Sequence, residues 1–262
     1  MKMPILFSKI YRLLKTRIAV LCDERIKSKI LVIESDDWGS IRISSKENWE
    51  KLLSEGYPVD KRPYERFDIL ESDEDVEELS KVLLSYKDAK GHHPVITLNY
   101  LSTNPDFEAI KNNGFSKYEF ESIEETYKRY PNSHNVVELV KKGISEGIFC
   151  VQSHGREHFN VEDWMKSLRK GDDDTLKAFD MGMCGIPPKD NIKQGNRFMS
   201  AFKSDSEDSQ QKIDLIVKEG LKLFERIWGY KSKTFVAPRY MWNDSVEQVL
   251  CENGVLQIQS DR

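Results

Sequence analysis

Two short segments of the chain contain the residue types best suited to bind a metal ion. His154-Gly-Arg-Glu-His158 spaces two imidazoles four residues apart, so on a helical turn both would project from one face and could hold one ion. Asp36 and Asp37 form the other segment, and adjacent carboxylates are electrostatically costly unless a cation or a proton lies between them. Two histidines and one carboxylate leave coordination positions open for water and substrate, as a catalytic metal site requires.

Each segment also has a purely structural interpretation. The histidines could belong to a solvated loop or a helix start, and the aspartates to an N-cap or a turn. The chain has only five histidines, and two of them directly follow an apolar run, which favours the metal site. Because side chains of consecutive residues diverge, one carboxylate can bind the ion while its neighbour acts as a general base toward water.

The elements around these segments alternate between strands and helices. Short apolar, β-branched runs predict strands over 29–34, 93–99, 147–152, 233–237 and 255–259. Helical spacing and capping residues predict helices over 45–56, 73–87, 134–146, 161–180, 206–228 and 245–252. Parallel strands joined by helices present their carboxyl ends at one edge, where the active sites of barrels lie. The sequence therefore predicts an α/β fold with too few strands for a complete eight-stranded barrel.

The composition and net charge of the chain exclude some classes of function. The chain has 262 residues, 39% hydrophobic and 32% charged, with a net charge of −4, which indicates a globular protein and no nucleic-acid partner. Bases interrupt every apolar run of residues 1–21, so these are not typical of a signal peptide, and we expect a cytoplasmic protein. Residues 1–28 are predicted to form a helix that packs on its own domain, with peripheral membrane contact as the alternative.

In both segments the sequence resembles the polysaccharide deacetylase superfamily, also called the NodB homology or carbohydrate esterase family 4 group. The residues 34–39 (ESDDWG) are similar to the first family motif, TFDDG, and the residues 154–158 to the second, H-[ST]-x-x-H. The resemblance implies a distorted or incomplete (β/α) barrel over 29–262 that removes acetyl groups from a carbohydrate. It also implies that Asp37, His154 and His158 bind a divalent metal, most simply Zn²⁺, and that Asp36 is the general base.

The third family motif, R-x-P-[YF], is matched only in part by the residues 236–240 (VAPRY), because Val236 replaces its arginine. In the family, that arginine orients the general base. We expect Arg239 to take its place, and Tyr240 to supply a donor to the oxyanion. No histidine follows His158, so the family's general acid has no counterpart. The preferred interpretation is a chain truncated at its C-terminus. The alternatives are a catalytically impaired glycan-binding homologue and another metal-dependent hydrolase, and the oligomeric state is left open.

Other polar and aromatic residues near strand ends are candidates to line a sugar cleft, with turns, caps or core packing as the competing roles. They are Trp38, Asp68, Glu71, Asn99, Asn104, Asp106 and Trp242.

Overall fold

The computed structural model describes residues 29–191 and 195–260. The chain divides into two units, Met1–Val32 and Ile33–Arg262, and every element below belongs to the second. The helix predicted over 1–28, and with it the predicted membrane contact, lies outside the described residues. Of the helices that are described, none is both long and apolar enough to cross a bilayer.

The main sheet has five parallel strands in the order β1-β2-β5-β6-β7. Their bounds are β1 Glu34–Trp38, β2 Ile96–Leu101, β5 Phe149–Gly155, β6 Thr234–Val236 and β7 Gln257–Gln259. Two short strands form a separate antiparallel ladder, β3 Thr103–Pro105 and β4 Phe120–Ser122. Parallel pairing in the main sheet confirms the predicted α/β class.

Ten α-helices lie in the described ranges 29–191 and 195–260. They are α1 Lys46–Ser54, α2 Pro63–Phe67, α3 Asp73–Ser85, α4 Phe107–Asn112, α5 Ile123–Arg129, α6 Val136–Ser145, α7 Val161–Arg169, α8 Asp173–Asp180, α9 Glu207–Trp228 and α10 Asp244–Glu252. A 3₁₀ turn, Pro238–Tyr240, follows β6. Side-chain caps begin many of the helices; Ser72 and Ser122, for example, form capping boxes at α3 and α5.

Most predicted elements differ from the structure by one to three residues at an end, and two differ by more. The helix predicted over 161–180 is two helices, α7 and α8, because Gly171 adopts a left-handed φ of 70° between them. Strand β1 spans Glu34–Trp38 and shares only Glu34 with the strand predicted over 29–34. Glu34 lies opposite Thr97, near the start of β2, so the partner needed for pairing begins only there.

The described residues do not form a closed barrel. Strands β1 and β7 are the two edges of the sheet and share no backbone ladder. Gln259 Nε2 of β7 nevertheless donates to Glu34 Oε2 of β1 at 2.6 Å, so the sheet curls until its edges approach each other. Five strands are fewer than the eight that typically close such a barrel.

The largest hydrophobic cluster of the described residues packs helices on one face of strands β2 and β5. Leu98 and Val151, from β2 and β5, are completely buried. The cluster also takes in residues of α3, α5, α6 and α9, among them Val76 and Phe224. Because apolar side chains cover this face of β2 and β5, the two strands form a rigid base whose carboxyl ends carry polar residues.

We expect Gly143→Ala in α6 to destabilise the protein. A Cβ at Gly143 would lie 2.2 Å from the Phe149 ring on β5, so helix and strand would have to separate. Overpacking of this kind costs about 1–3 kcal/mol, measurable as a lower free energy of unfolding in urea. Lys142→Ala, at an exposed position of the same helix, is the control. Equal stability of the two variants would contradict the close packing of α6 on β5.

Candidate metal centre

The acidic pair lies at a bulge near the end of β1. Between the paired positions Ser35 and Trp38, Asp36 and Asp37 lie opposite the single residue Asn99 of β2. Asp37 has a φ of 68°, in the left-handed region that aspartate tolerates better than most residues. A bulge changes the direction in which side chains point. The two adjacent carboxylates therefore have different surroundings.

One buried and one half-buried side chain hold the loop that follows β1. Asn104 accepts a hydrogen bond from the Ile41 N–H at 3.1 Å and donates to the Gly39 carbonyl at 2.8 Å. Glu71 accepts from the Gly39 N–H at 3.0 Å. Gly39 has a φ of 80°, and a Cβ there would lie 3.1 Å from the Leu101 carbonyl, so glycine is required. The loop therefore leaves β1 along one path.

The two histidines lie at the end of β5, not on a helical turn as the sequence predicted. Strand β5 extends to Gly155, because Gly155 continues the pairing by lying opposite Leu101 of β2. His154 is thus a strand residue, only 2% exposed, and His158 lies in the irregular turn that follows.

Buried ionic contacts hold that turn. Arg156 Nε donates to Glu157 Oε1 at 2.7 Å, and the Tyr118 hydroxyl donates to the same oxygen at 2.9 Å. Arg156 and Glu157 are only 5% and 3% exposed. Arg156 and Glu157 lie between the two histidines and are buried and paired with each other. The turn that carries His158 is therefore held inside the protein and is not a solvent-exposed loop.

One carboxylate oxygen lies beside both imidazoles. Asp37 Oδ1 is 3.2 Å from His154 Nε2 and 3.1 Å from His158 Nε2, and the three ligand atoms lie within 4.8 Å of one another. Donors bound at about 2.0–2.2 Å to one tetrahedral Zn²⁺ lie roughly 3.3 Å apart. The three residues therefore have the chemistry and the spacing of a metal-binding set, with open coordination positions.

The orientation of His154 suits such a set. Its Nδ1 lies 2.7 Å from the Val236 carbonyl oxygen of β6. Since a carbonyl only accepts, this contact places the proton on Nδ1 and leaves the lone pair of Nε2 directed at Asp37. The backbone of β6 thereby determines which nitrogen of His154 can bind a metal.

Arg42 binds the other oxygen of Asp37. Its Nη2 donates to Asp37 Oδ2 at 2.6 Å, and its Nε lies 3.2 Å from Asp68 Oδ2. Burial alone would raise the pKa of the Asp37 carboxyl, but the adjacent His158 and His154 imidazoles and the Arg42 guanidinium hold that pKa well below its usual range. Asp37 is therefore an anion that presents one oxygen to the histidines.

The protonation of His158 is governed by its burial. Burial lowers its pKa to about 3, despite the nearby charge of Asp37. The imidazole is consequently neutral at physiological pH, which is the form that binds metal ions. Its Nδ1 is buried and has no hydrogen-bond partner.

Asp36, the predicted general base, is held by an amide and not by an arginine. Asn99 Nδ2 donates to Asp36 Oδ1 at 2.8 Å, and Asn99 is completely buried. Among the described residues, Arg239 makes no ion pair with Asp36. The role expected of Arg239 stays a prediction, and among the described residues Asn99 of the neighbouring strand is the side chain that contacts the Asp36 carboxylate.

Above these residues lies a cavity of about 890 Å³, a size typical of small-molecule sites. Asp36, Asp37, His154 and His158 are on its wall, and Arg239, Tyr240 and Asp68 also contribute to it. The backbone N–H of Tyr240 donates to the Ala237 carbonyl at 2.7 Å. That N–H closes a turn, so Tyr240 cannot offer it to an oxyanion in this conformation.

Of the remaining predicted cleft residues, Asp68 lines the cavity and Asn99 supports Asp36. Asp106 caps α4. Trp38 packs beside Tyr100 with ring centroids 5.8 Å apart, and Trp242 packs against a hydrophobic cluster, so core packing describes both tryptophans.

Sequence reasoning missed Arg42 and the Val236 carbonyl. An arginine five residues after Asp37, in the loop leaving a strand, was the available signal for the first. A backbone oxygen gives no such signal.

Comparisons with known proteins were made by sequence and by structure. No family model matches the chain, and no curated protein matches it. The chain is similar to the BpsB deacetylase domain from Bordetella bronchiseptica, with a TM-score of 0.36 and 9% identity over 92% of this chain and 91% of that one. It is similar to a de-N-acetylase from Aggregatibacter actinomycetemcomitans, with a TM-score of 0.31 and 12% identity over 87% and 85%.

A third similar structure is IcaB from Ammonifex degensii, with a TM-score of 0.31 and 11% identity over 86% of this chain and 80% of that one. A 4-alpha-glucanotransferase from Thermococcus litoralis has a TM-score of 0.36 and 11% identity over 87% of this chain, which spans 21% of that enzyme. All four TM-scores are below 0.5, so these similarities carry no argument about the fold or the site.

We expect the metal-free protein to lose stability as the pH falls from about 6.5 toward 3. In that window His158 binds a proton in the unfolded chain, whose pKa is about 6.5, but not in the folded one, whose pKa is about 3. The free energy of unfolding should therefore fall by up to about 1.4 kcal/mol per pH unit from this group. Urea unfolding of chelated protein across this range measures the slope.

His158→Gln removes this titration, so the slope should become shallower, whereas His92→Gln removes an exposed imidazole and serves as the control. An unchanged slope in His158→Gln would show that the folded protein protonates His158 normally.

Proposed function

We propose that this protein is a metal-dependent hydrolase that removes acetyl groups from a carbohydrate. The observation that supports it most is the approach of Asp37 Oδ1 to His154 Nε2 and His158 Nε2, at 3.2 and 3.1 Å, on the wall of a ligand-sized cavity. The motif order of the sequence, with the acidic pair before the histidine pair, supports the same assignment. Zn²⁺ is the ion that best suits two imidazoles and one carboxylate.

Asp37, His154 and His158 would hold the ion. When bound, it supplies Lewis acidity, which lowers the pKa of a water molecule and polarises the acyl carbonyl. Arg42 keeps Asp37 ionised and occupies its Oδ2 at 2.6 Å, so Oδ1 is the oxygen directed toward the histidines. The Val236 carbonyl keeps the proton of His154 on Nδ1.

Asp36 takes the proton of the attacking water. Asn99 holds its Oδ1 at 2.8 Å, and Oδ2 makes no hydrogen bond within the described part of the chain, so Oδ2 is the proton acceptor. The amide donor keeps the carboxylate at the cavity wall. Asn99 is thus a positioning residue for the base, in the role that the family's third motif gives to an arginine.

A glycan-binding protein without turnover is the second candidate. The occupied backbone N–H of Tyr240 and the lack of contact between Arg239 and Asp36 favour it, since both residues were expected to assist catalysis. Acetate release distinguishes the two functions, because a binding protein would retain the glycan and the metal without releasing acetate.

We expect Asp36→Asn to retain the metal and to lose acetate release by about 10²–10⁴-fold, the usual contribution of a general base. Enzymatic measurement of acetate from a panel of N- and O-acetylated oligosaccharides gives the turnover, and elemental analysis gives the metal content. Asp208→Asn, at an exposed carboxylate of α9, is the matched control. Undiminished turnover in Asp36→Asn would exclude Asp36 as the base, and no turnover by the unaltered protein on any member would favour the binding protein.

A further inference from the structure

Without a metal ion, the arginines and the carboxylates on the cavity wall balance each other in charge. Arginines and carboxylates line it in equal number, four of each. They are Arg42, Arg62, Arg197 and Arg239, and Asp36, Asp37, Glu65 and Asp68. A bound dication would add two positive charges to this wall, and an excess of one sign of charge attracts ligands of the other sign.

Three of the four arginines are already paired with carboxylates of the protein. The pairs are Arg42 with Asp37 at 2.6 Å, Arg62 with Glu65 at 3.1 Å, and Arg197 with Asp172 at 2.5 Å. Arg239 is different, because within residues 29–191 and 195–260 it makes neither an ion pair nor a side-chain hydrogen bond. Among the arginines of this wall, it is the one that pairs with no carboxylate of the described residues.

A strained turn places Arg239 there. Arg239 and Tyr240 have φ values of 57° and 54°, and two consecutive non-glycine residues in the left-handed region cost about 1–2 kcal/mol each. The Tyr240 N–H closes the turn on the Ala237 carbonyl at 2.7 Å, and Pro238 and Ala237 are buried. Strain that the surrounding structure maintains is typical of ligand-binding segments.

We propose that Arg239 binds an anionic group of the substrate, so that the carbohydrate acted on is an acidic one. The inference rests on the proposed function, which supplies the carbohydrate and the metal. A guanidinium presents a planar fork that pairs with a carboxylate, a sulfate or a phosphate through two hydrogen bonds. The acyl group would lie at Asp37, His154 and His158, and the anionic substituent at Arg239 on the same wall.

Binding measured by calorimetry at low ionic strength tests this assignment. A hyaluronan tetrasaccharide, which has carboxylates, is compared with the neutral N-acetylchitotetraose, and N-acetylglucosamine 6-sulfate and 6-phosphate distinguish the anion. The acidic tetrasaccharide should bind more tightly, and added salt should weaken it. Arg239→Ala should weaken it about tenfold to a hundredfold, Arg239→Lys less so, and Arg226→Ala, at an exposed arginine of α9, not at all.

Equal affinity for the acidic and the neutral tetrasaccharide would overturn the inference, as would equal affinities in Arg239→Ala and Arg226→Ala. Repeating the titrations on chelated protein separates the arginine from the ion. Loss of acidic binding on chelation, with no effect of Arg239→Ala, would mean that the carboxylate binds the metal and would also overturn the inference. Absent acetate release would count against the proposed function alone, because the Arg239-dependent difference is measured without turnover.

Discussion

The arrangement at the end of the sheet depends on one electrostatic constraint: an oxygen of the half-buried Asp37 carboxylate has an imidazole nitrogen on each side. Asp37 Oδ1 lies 3.2 and 3.1 Å from His154 and His158, and Arg42 occupies the second oxygen. Positive charge beside a half-buried anion offsets the loss of its hydration. A divalent cation bound by the three residues would supply positive charge beside Asp37. It would bind His158 in its neutral form.

The surrounding structure maintains that constraint from three strands. The bulge in β1 separates the directions of the two aspartates, β5 carries His154 to the edge of the sheet, and the β6 carbonyl of Val236 orients its ring. The paired Arg156 and Glu157 fix the turn to His158. Rigid strands place functional groups more accurately than loops do, which explains why this geometry arises where three parallel strands end.

The approach of Asp37, His154 and His158 could be predicted from the sequence because parallel strands end at one edge, and the residues at their ends must be close. The contacts that other groups make with these three residues could not be predicted. Arg42 reaches Asp37 through a loop whose path depends on Asn104, and Val236 acts through its backbone, which no residue type reveals. The helical turn predicted for the histidines was wrong because strand pairing outweighed local spacing. Within the described residues Asn99, not Arg239, contacts the Asp36 carboxylate.

Anomalous diffraction above and below the zinc absorption edge, on crystals grown with Zn²⁺, tests the metal centre most directly. We expect one anomalous peak per chain, about 2.0–2.2 Å from Asp37 Oδ1, His154 Nε2 and His158 Nε2, and no peak there in His154→Ala. A peak at another site, or one at this site that persists in His154→Ala, would contradict the assignment of these three residues as metal ligands.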